Sequence, residues 1–158
     1  MNGEHHYAVR LQWQGNRGTG TSGSRAYGRQ HTISASGKPS IEGSADRTFH
    51  GDADRWNPEE LLLASLSQCH MLSYLYVAVS HGIVVTDYTD EPIGTLVETG
   101  DGGGHFSSVI LRPVVTVASV ADLEAADACH REASGKCFIA NSVNFPVTHQ
   151  PTARLASD

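Results

Sequence analysis

The sequence predicts an α+β fold in which a mainly antiparallel sheet packs on two helices, one of them long, buried and central. Short alternating segments separated by Gly-rich turns fill the first third of the chain. An apolar stretch bounded by helix start and stop signals then occupies 57–82. A second helical segment follows a hairpin-like region. The length of 158 residues suits one domain, so we expect a single domain over 1–158.

The first third of the chain predicts three strands. Residues 7–13 alternate between apolar and polar side chains, and two further strands are expected over 26–35 and 39–42. The segment 15–23 is rich in Gly, Thr and Ser, so it predicts a flexible loop, which carries Arg17. The polar segment 43–56 predicts a second loop.

The central helix has recognisable ends. Asn57 suits the N-cap, Pro58 the first helical position and Glu60 the third, and Gly82 falls where a helix stop is expected. Residues 61–79 are apolar on nearly every side, which is typical of a helix buried inside a protein. The stretch looks too short, and too interrupted by Ser, Gln and His, to cross a membrane.

The remainder of the chain predicts two strands, a helix and one last strand. Residues 94–98 and 105–118 form the arms of a hairpin around the glycine-rich turn 100–104. A helix from about 120 to 134 is capped by Ser119 and ends at Gly135, and 143–153 supplies the final strand. The glycine-rich turn joins two strands and opens no helix, so it does not indicate a phosphate-binding loop.

Composition excludes several classes of protein. The chain is 39% apolar and 18% charged, which allows a real core. Its formal charge is −6 and it has no run of Lys or Arg, so no nucleic-acid partner is expected. No apolar stretch reaches about 18 residues and the N-terminus lacks signal-peptide anatomy. We therefore expect a soluble, cytoplasmic protein that does not bind membranes.

Three cysteines, at positions 69, 129 and 137, are the best candidates for chemistry. An odd number without a secretion signal argues against a disulfide scaffold, so a disulfide here would be transient and catalytic. Cys69 lies inside the apolar helix, where packing alone is a common role for cysteine. Cys137 follows the second helix, where one conformational step could bring the two sulfurs together. Cys129 is expected only to pack, near Leu123 and Ala126.

Two opposite charges, Arg17 and Glu59, accompany these cysteines. The alternative interpretation of each charge is that its side chain simply lies on the solvated surface. Glu59 and Cys69 are ten residues apart on one helix, about 15 Å at the standard rise. A glutamate side chain does not span that length. If Glu59 serves Cys69, it must come from a partner chain, and the site lies at a two-fold interface.

Taken together, these motifs resemble the OsmC/Ohr family of peroxide reductases. The similarity rests on Asn57-Pro58-Glu59-Glu60-Leu61-Leu62, on Cys69 and Cys137, and on Arg17-Gly18-Thr19-Gly20-Thr21, which is similar to the family's arginine loop. It implies an intertwined homodimer with two interfacial active sites. It also implies a peroxidatic Cys69, a resolving Cys137 and a supporting Arg17–Glu59 pair. The better-known branches place proline after the second cysteine, whereas this chain has Phe138.

The chemistry explains these residue types. A thiolate attacks the peroxide O–O bond, and a guanidinium stabilises the thiolate and binds the departing oxygen. The resulting sulfenic acid on Cys69 would condense with Cys137 to a disulfide, which an outside dithiol must reduce. The resemblance implies a lipoyl-type dithiol and no metal or organic cofactor. Apolar residues favour an organic hydroperoxide over hydrogen peroxide: Leu62, Leu66, Met71 and Phe145.

Three alternatives stay open. The chain has nine histidines, but none of the spacings typical of metal sites. His70 beside Cys69, and His130 beside Cys129, point to different helix faces and do not chelate together. The fold could also be a non-catalytic binding or assembly module whose cysteines merely pack. A redox sensor would use the same first oxidation step without turnover.

Overall fold

The computed structural model of the chain describes residues 3–157. The α-carbon contacts divide the chain into two units, Met1–Leu61 and Leu62–Asp158. The boundary falls within the first turn of the long helix.

The first unit contains a three-stranded antiparallel sheet in the order β1-β2-β3. Its strands are β1 (Arg10–Trp13), β2 (His31–Ser34) and β3 (Ile41–Gly43). All three were predicted, but the first two are shorter than the sequence pattern indicates. Between β1 and β2 the chain turns, and only an isolated bridge from Asn16 to Tyr27 continues the pairing.

Helix α1 (Pro58–Ser80) begins and ends where the sequence predicts. The Asn57 side chain accepts a hydrogen bond from the Glu60 N–H at 2.8 Å, and the Glu60 carboxylate accepts one from the Asn57 N–H at 3.3 Å. These two bonds form a capping box. At the other end Gly82 has φ +71°, and the Ile83 N–H donates to the Ala78 carbonyl. That left-handed turn is the glycine-dependent stop of a Schellman motif.

Burial of α1 is the main departure from the sequence-based prediction. We expected an almost all-round buried helix, but in the single chain only one face is buried, formed by Leu66, His70, Tyr74, Val77 and Ala78. On the opposite face Leu72, Tyr76 and Val79 are 60%, 68% and 76% exposed. The apolar side chains on all sides of α1 therefore form two faces, one buried in the chain and one exposed to solvent in the single chain.

The membrane argument from length was also wrong. Helix α1 has 23 residues, and its best 18-residue window has a mean hydropathy of 1.3. Length and composition alone would therefore let it cross a bilayer. The buried face of α1 nevertheless packs in the protein core. A core helix can have the same length and composition as a membrane-spanning helix.

The second unit contains two three-stranded sheets. One has the order β4-β7-β9, from β4 (Val85–Asp90), β7 (Pro113–Val117) and β9 (Thr152–Leu155). The other has the order β5-β6-β8, from β5 (Ile93–Glu98), β6 (Gly104–Leu111) and β8 (Val147–His149). The pairings β6–β8 and β7–β9 are parallel and the other two are antiparallel. With the first sheet included, antiparallel pairing predominates, as predicted.

The sequence-based prediction differs from the structure at three places in the strands: one strand was not predicted, and two predicted strands are each divided in two. Strand β4 was not predicted because its sequence, Val-Thr-Asp-Tyr-Thr-Asp, is mostly polar. The predicted strand 105–118 is divided at Arg112, whose N–H donates to the Asp90 carboxylate at 2.7 Å instead of continuing a ladder. The predicted last strand is two short strands, because each pairs with a different sheet.

Helix α2 (Leu123–Lys136) follows a 3-10 turn over Val120–Asp122. Ser119 caps that turn, since its side chain accepts from the Ala121 N–H. Gly135 does not stop the helix as predicted and lies inside its last turn, so Cys137 is the C-cap residue. As the C-cap residue, Cys137 lies at the end of α2, and its N–H donates to the Ser134 carbonyl of the last turn.

Two apolar clusters form the core of the second unit. The larger joins the C-terminal half of α1 to α2 and β7, with Tyr74, Val77, Val115 and Ala126 fully buried. The smaller joins the N-terminal half of α1 to β6 through Leu66, Val109 and Leu111. Together they hold α1 in a fixed position between α2 and the two sheets.

Candidate active site

Cys69 and Cys137 lie next to each other in the second unit. Cys69 is half-buried within α1, whereas Cys137 is 1% exposed at the C-cap of α2. Both cysteines are free, and the Cys69 side chain is a neighbour of the Cys137 thiol. The two side chains are therefore already neighbours before any oxidation, without the conformational step that the sequence suggested.

A tight turn after α2 holds the Cys137 sulfur. The Ala140 N–H donates to Cys137 Sγ at 3.4 Å. The Asn141 N–H and side-chain amide donate to the Cys137 carbonyl at 3.1 and 3.0 Å, and the Ser142 hydroxyl donates to the Phe138 carbonyl at 2.7 Å. These bonds fix the backbone of the turn, so the position of the buried sulfur is well defined.

The electrostatic environment of Cys137 favours its protonated form. Burial is the main cause that raises the pKa of the Cys137 thiol to about 11, and the neighbouring Cys69 contributes in the same direction. The backbone N–H groups of Ala140 and Ile139 act in the opposite direction and lower the pKa. At rest Cys137 is therefore a neutral thiol, which can donate a hydrogen bond.

The predicted charged residues, Arg17 and Glu59, belong to the first unit. Arg17 is exposed in the loop after β1, and Glu59 is half-buried in the first turn of α1. Among residues 3–61 no ion pair joins them. One oxygen of Glu59, Oε2, is buried without a hydrogen-bond partner among the described residues. Because a buried carboxylate oxygen needs a donor, the single chain leaves this group incomplete.

A cluster of histidines in the same unit as the thiols, two of them buried, was missed by sequence reasoning. His70 Nε2 and His130 Nδ1 are 2.9 Å apart, and the His70 ring also lies 4.2 Å from the His149 ring, between centroids. Tyr74 stacks on His130 at 4.1 Å. Leu66, His70 and Tyr74 recur every four residues, so the helical spacing could have placed His70 on the buried face.

These imidazoles are neutral in the folded protein. Burial lowers the pKa of His70 to about 3 and that of His130 to about 4, and the neighbouring imidazoles act in the same direction. Burial also lowers the pKa of His149, while Asp90 opposes the shift. Within residues 3–157 no group of three or more His, Cys, Asp or Glu side chains has a geometry that could hold a metal ion.

The other predicted residues have separate positions. Cys129 is 4% exposed within the larger core cluster beside Ala126 and Leu123, where packing was expected. Leu66 is fully buried, Leu62 and Phe145 pack against the smaller cluster, and Met71 is half-buried outside it. Phe138, which follows Cys137, is 81% exposed.

Fold and site together define a class of protein: a small α+β protein in which a half-buried helical thiol neighbours a buried thiol at the end of a second helix. The model of the OsmC-like protein family matches residues 51–152. This range covers both helices and both thiols, and the chain therefore belongs to the OsmC-like family. None of the curated proteins matches the chain significantly.

Solved structures with the same fold include an OsmC-like protein of unknown function from Vibrio cholerae. It is 28% identical with a TM-score of 0.83, over 94% of this chain and 99% of that one. An organic hydroperoxide resistance protein from Legionella pneumophila is 19% identical with a TM-score of 0.69, over 95% and 98%. Another from Elizabethkingia anophelis, with thiocyanate bound, is 19% identical with a TM-score of 0.68, over 97% and 99%. At 19% identity these two matches concern the fold.

Proposed function

We propose that this protein is a thiol-dependent peroxidase that reduces organic hydroperoxides to alcohols. The observation that carries the proposal is the neighbouring pair of free thiols with unequal burial, Cys69 half-buried and Cys137 buried. The more accessible Cys69 would attack the peroxide and become a sulfenic acid. Cys137, already its neighbour, would form the disulfide before over-oxidation.

A homodimer would complete the site. On the helical wheel of α1, Cys69 lies at the border between the buried face and the open face that carries Tyr76. A partner copy covering the open face would therefore approach Cys69. This partner would supply Arg17 and Glu59, and the unpartnered Glu59 Oε2 is a suitable acceptor for a guanidinium.

The turnover step requires an external reductant. The Cys69–Cys137 disulfide must exchange with a dithiol, for which we propose a lipoyl-type compound. The residues of the site need no metal or organic cofactor for this cycle.

Mass spectrometry after one equivalent of cumene hydroperoxide tests the proposal. We expect a Cys69–Cys137 disulfide in the wild type and in Cys129→Ser, the matched control with a buried cysteine removed elsewhere. Cys69→Ser should form no disulfide. If all three thiols of the wild type stay reduced, the peroxidase proposal is wrong. If the disulfide forms but dihydrolipoamide and other dithiols sustain no turnover, the protein is a sensor and not a peroxidase.

A further inference from the structure

We propose that the hydrogen bond between His70 and His130 positions the two thiols for disulfide formation, so that both histidines are positioning residues of that step. The inference rests on the proposed peroxidase function and gives a role to a buried polar pair that attack on the peroxide does not use. Three observations support it: the bond itself, the packing that fixes both rings, and the rigid segments that join each ring to a thiol.

The bond joins α1 to α2 in the core of the second unit. His70 Nε2 and His130 Nδ1 are 2.9 Å apart, and the two residues are 1% and 4% exposed. One helical turn away on each helix, the Tyr74 hydroxyl donates to the Ala126 carbonyl at 2.9 Å. Breaking a buried hydrogen bond leaves polar atoms without water or partner, so these two bonds hold the helices in one relative position.

Aromatic neighbours fix both rings. The Tyr74 ring stacks on the His130 ring at 4.1 Å, and the His149 ring lies 4.2 Å from the His70 ring, both between centroids. Because His70 Nδ1 is buried without a partner among the described residues, the proton of His70 belongs on Nε2, which donates to His130 Nδ1. Burial lowers the pKa of both imidazoles to well below 7, so the bond is intact at that pH.

A short segment of helix joins each histidine to one of the thiols. Cys69 directly precedes His70 on α1, and Cys137 follows His130 by seven residues, at the C-cap of α2. Seven residues are about two turns of an α-helix, which bring the chain back to nearly the same face. A displacement of His130 relative to His70 therefore moves the backbone of Cys137 relative to Cys69.

Apolar packing attaches the segment after Cys137 to the same helix. The Ala140 N–H donates to Cys137 Sγ at 3.4 Å, and both Ile139 and Ala140 pack against the cluster of Leu66, three residues before Cys69. The chain around Cys137 is thus attached on one side by this cluster and on the other by the histidine bond. Without the histidine bond only one attachment remains, and the two sulfurs should meet less often.

The step that gains from this arrangement is the condensation of the two cysteines. The Cys137 sulfur attacks the sulfenic sulfur of Cys69, an S–S bond forms, the S–O bond breaks, and hydroxide leaves with the thiol proton as water. The rate depends on the effective concentration of one sulfur at the other. The same quantity sets the equilibrium in which the two thiols give two electrons and two protons to oxidised glutathione, which yields the disulfide and two molecules of glutathione.

Titration in glutathione redox buffers at pH 7 tests the inference, with the Cys69–Cys137 disulfide quantified by mass spectrometry after alkylation of free thiols. His70→Gln keeps an amide N–H where histidine has Nε2, whereas the side chain of His70→Asn is too short to reach His130. His130→Leu removes the acceptor on the other helix. The control Val77→Ala removes packing from a fully buried position in the larger core cluster.

His70→Asn and His130→Leu should each lower the effective concentration by about 10-fold, the factor that corresponds to one buried hydrogen bond. His70→Gln should stay close to the wild type. Val77→Ala should lower the free energy of unfolding but leave the effective concentration unchanged, because the titration compares two folded states. With excess cumene hydroperoxide, the two variants that lose the bond should also carry more sulfinic acid on Cys69.

An unchanged effective concentration in His70→Asn or in His130→Leu would overturn the inference, and each variant suffices if the other does not fold. Equal losses in His70→Gln and His70→Asn would overturn it as well, because the amide donor would then give no rescue. An equal loss in Val77→Ala would show that the effect follows stability. The titration contains no peroxide, so these outcomes leave the peroxidase proposal intact. A wild type that forms the disulfide with glutathione but does not react with peroxide would contradict the proposed function alone.

Discussion

Two neutral histidines, His70 and His130, belong to the two helices that position the thiol pair. His70 follows Cys69 on α1, and His130 precedes Cys137 by seven residues on α2. The His70–His130 hydrogen bond and the Cys69–Cys137 pair therefore connect the same two helices. His70 Nδ1 is buried without a partner. An unpaired N–H there would be costlier than an unpaired lone pair, so the Nε2–H of His70 donates to His130 Nδ1. Protonation of His130 at Nδ1 would remove the acceptor and break this bond, whereas protonation of His70 at Nδ1 would place an N–H on a buried nitrogen that has no partner.

The histidine pair predicts a loss of stability in acid. In the folded protein the pKa values of His70 and His130 are about 3 and about 4, below the 6.5 of an unfolded histidine. The unfolded state therefore binds more protons as the pH falls below 6.5. The free energy of unfolding should be highest above that pH and fall by about 2–5 kcal/mol towards pH 4.5.

Urea denaturation from pH 4.5 to 7.5 measures this loss. The variant His70→Gln/His130→Asn retains an amide donor and acceptor that do not titrate, so its acid loss should be smaller. His81→Gln, which removes an exposed histidine, is the matched control and should behave like the wild type. Identical pH profiles for all three proteins would show that the buried pair is not responsible.

Arg17 supports a prediction at the same scale. If a partner's Arg17 stabilises the Cys69 thiolate and the departing oxygen, Arg17→Ala should slow Cys69 oxidation by about 100-fold, as loss of a positioned donor does. The exposed Arg25, in the same long connection between β1 and β2, provides the control Arg25→Ala. Single-turnover rates with cumene hydroperoxide measure both variants. A similar rate for Arg17→Ala and Arg25→Ala would remove Arg17 from the site.

At the scale of elements, the start of α1 depends on a local motif. The capping box between Asn57 and Glu60 satisfies two N–H groups that the helix itself cannot pair. The helix that starts here carries Cys69 into the core of the second unit. The first turn of α1 therefore stabilises the fold without taking part in the proposed peroxidase reaction.

Asn57→Ala should lower the free energy of unfolding by about 1 kcal/mol, because the side-chain acceptor for the Glu60 N–H is lost. Asn57→Asp keeps an acceptor at the same position and should cost much less. Chemical denaturation at pH 7 measures both. A loss of equal size in the two variants would point to packing around Asn57 and not to the cap.

At the scale of the whole molecule, apolar side chains remain uncovered in a single chain. On α1 the open face carries Leu72, Tyr76 and Val79, all more than half exposed. In the first unit the alternate residues Tyr7, Val9, Leu11 and Trp13 are also exposed along β1 and the segment before it. Exposed apolar patches of this kind mark interaction surfaces.

The proposed homodimer predicts that a charge on the open face of α1 weakens association. Tyr76→Glu should raise the dimer dissociation constant by at least about 100-fold, because burying an unpaired carboxylate costs several kcal/mol. Sedimentation velocity over a concentration series measures it. Val120→Glu, at an equally exposed apolar position, is the control. A wild type that stays monomeric at high concentration would contradict the dimer.

The sequence by itself determined the features that depend on neighbouring residues. Capping residues and Gly82 located α1 to within a residue, because helix ends are set by local hydrogen bonds and local φ preferences. The candidate thiols followed from the residue types and their resemblance to a family. Strand β4 was missed because its polar residues are held by pairing with β7, which is distant in sequence.

Only the tertiary structure decided which side chains meet. It brought Cys69 and Cys137 next to each other, buried one thiol more than the other, and packed the His70 ring against those of His130 and His149. These residues come from α1, α2 and β8, and no local pattern relates them. The burial of α1 on one face alone was likewise invisible in a helix that is apolar all round. The physical reason is that burial and pKa depend on what packs against a side chain, and distant parts of the chain supply those neighbours.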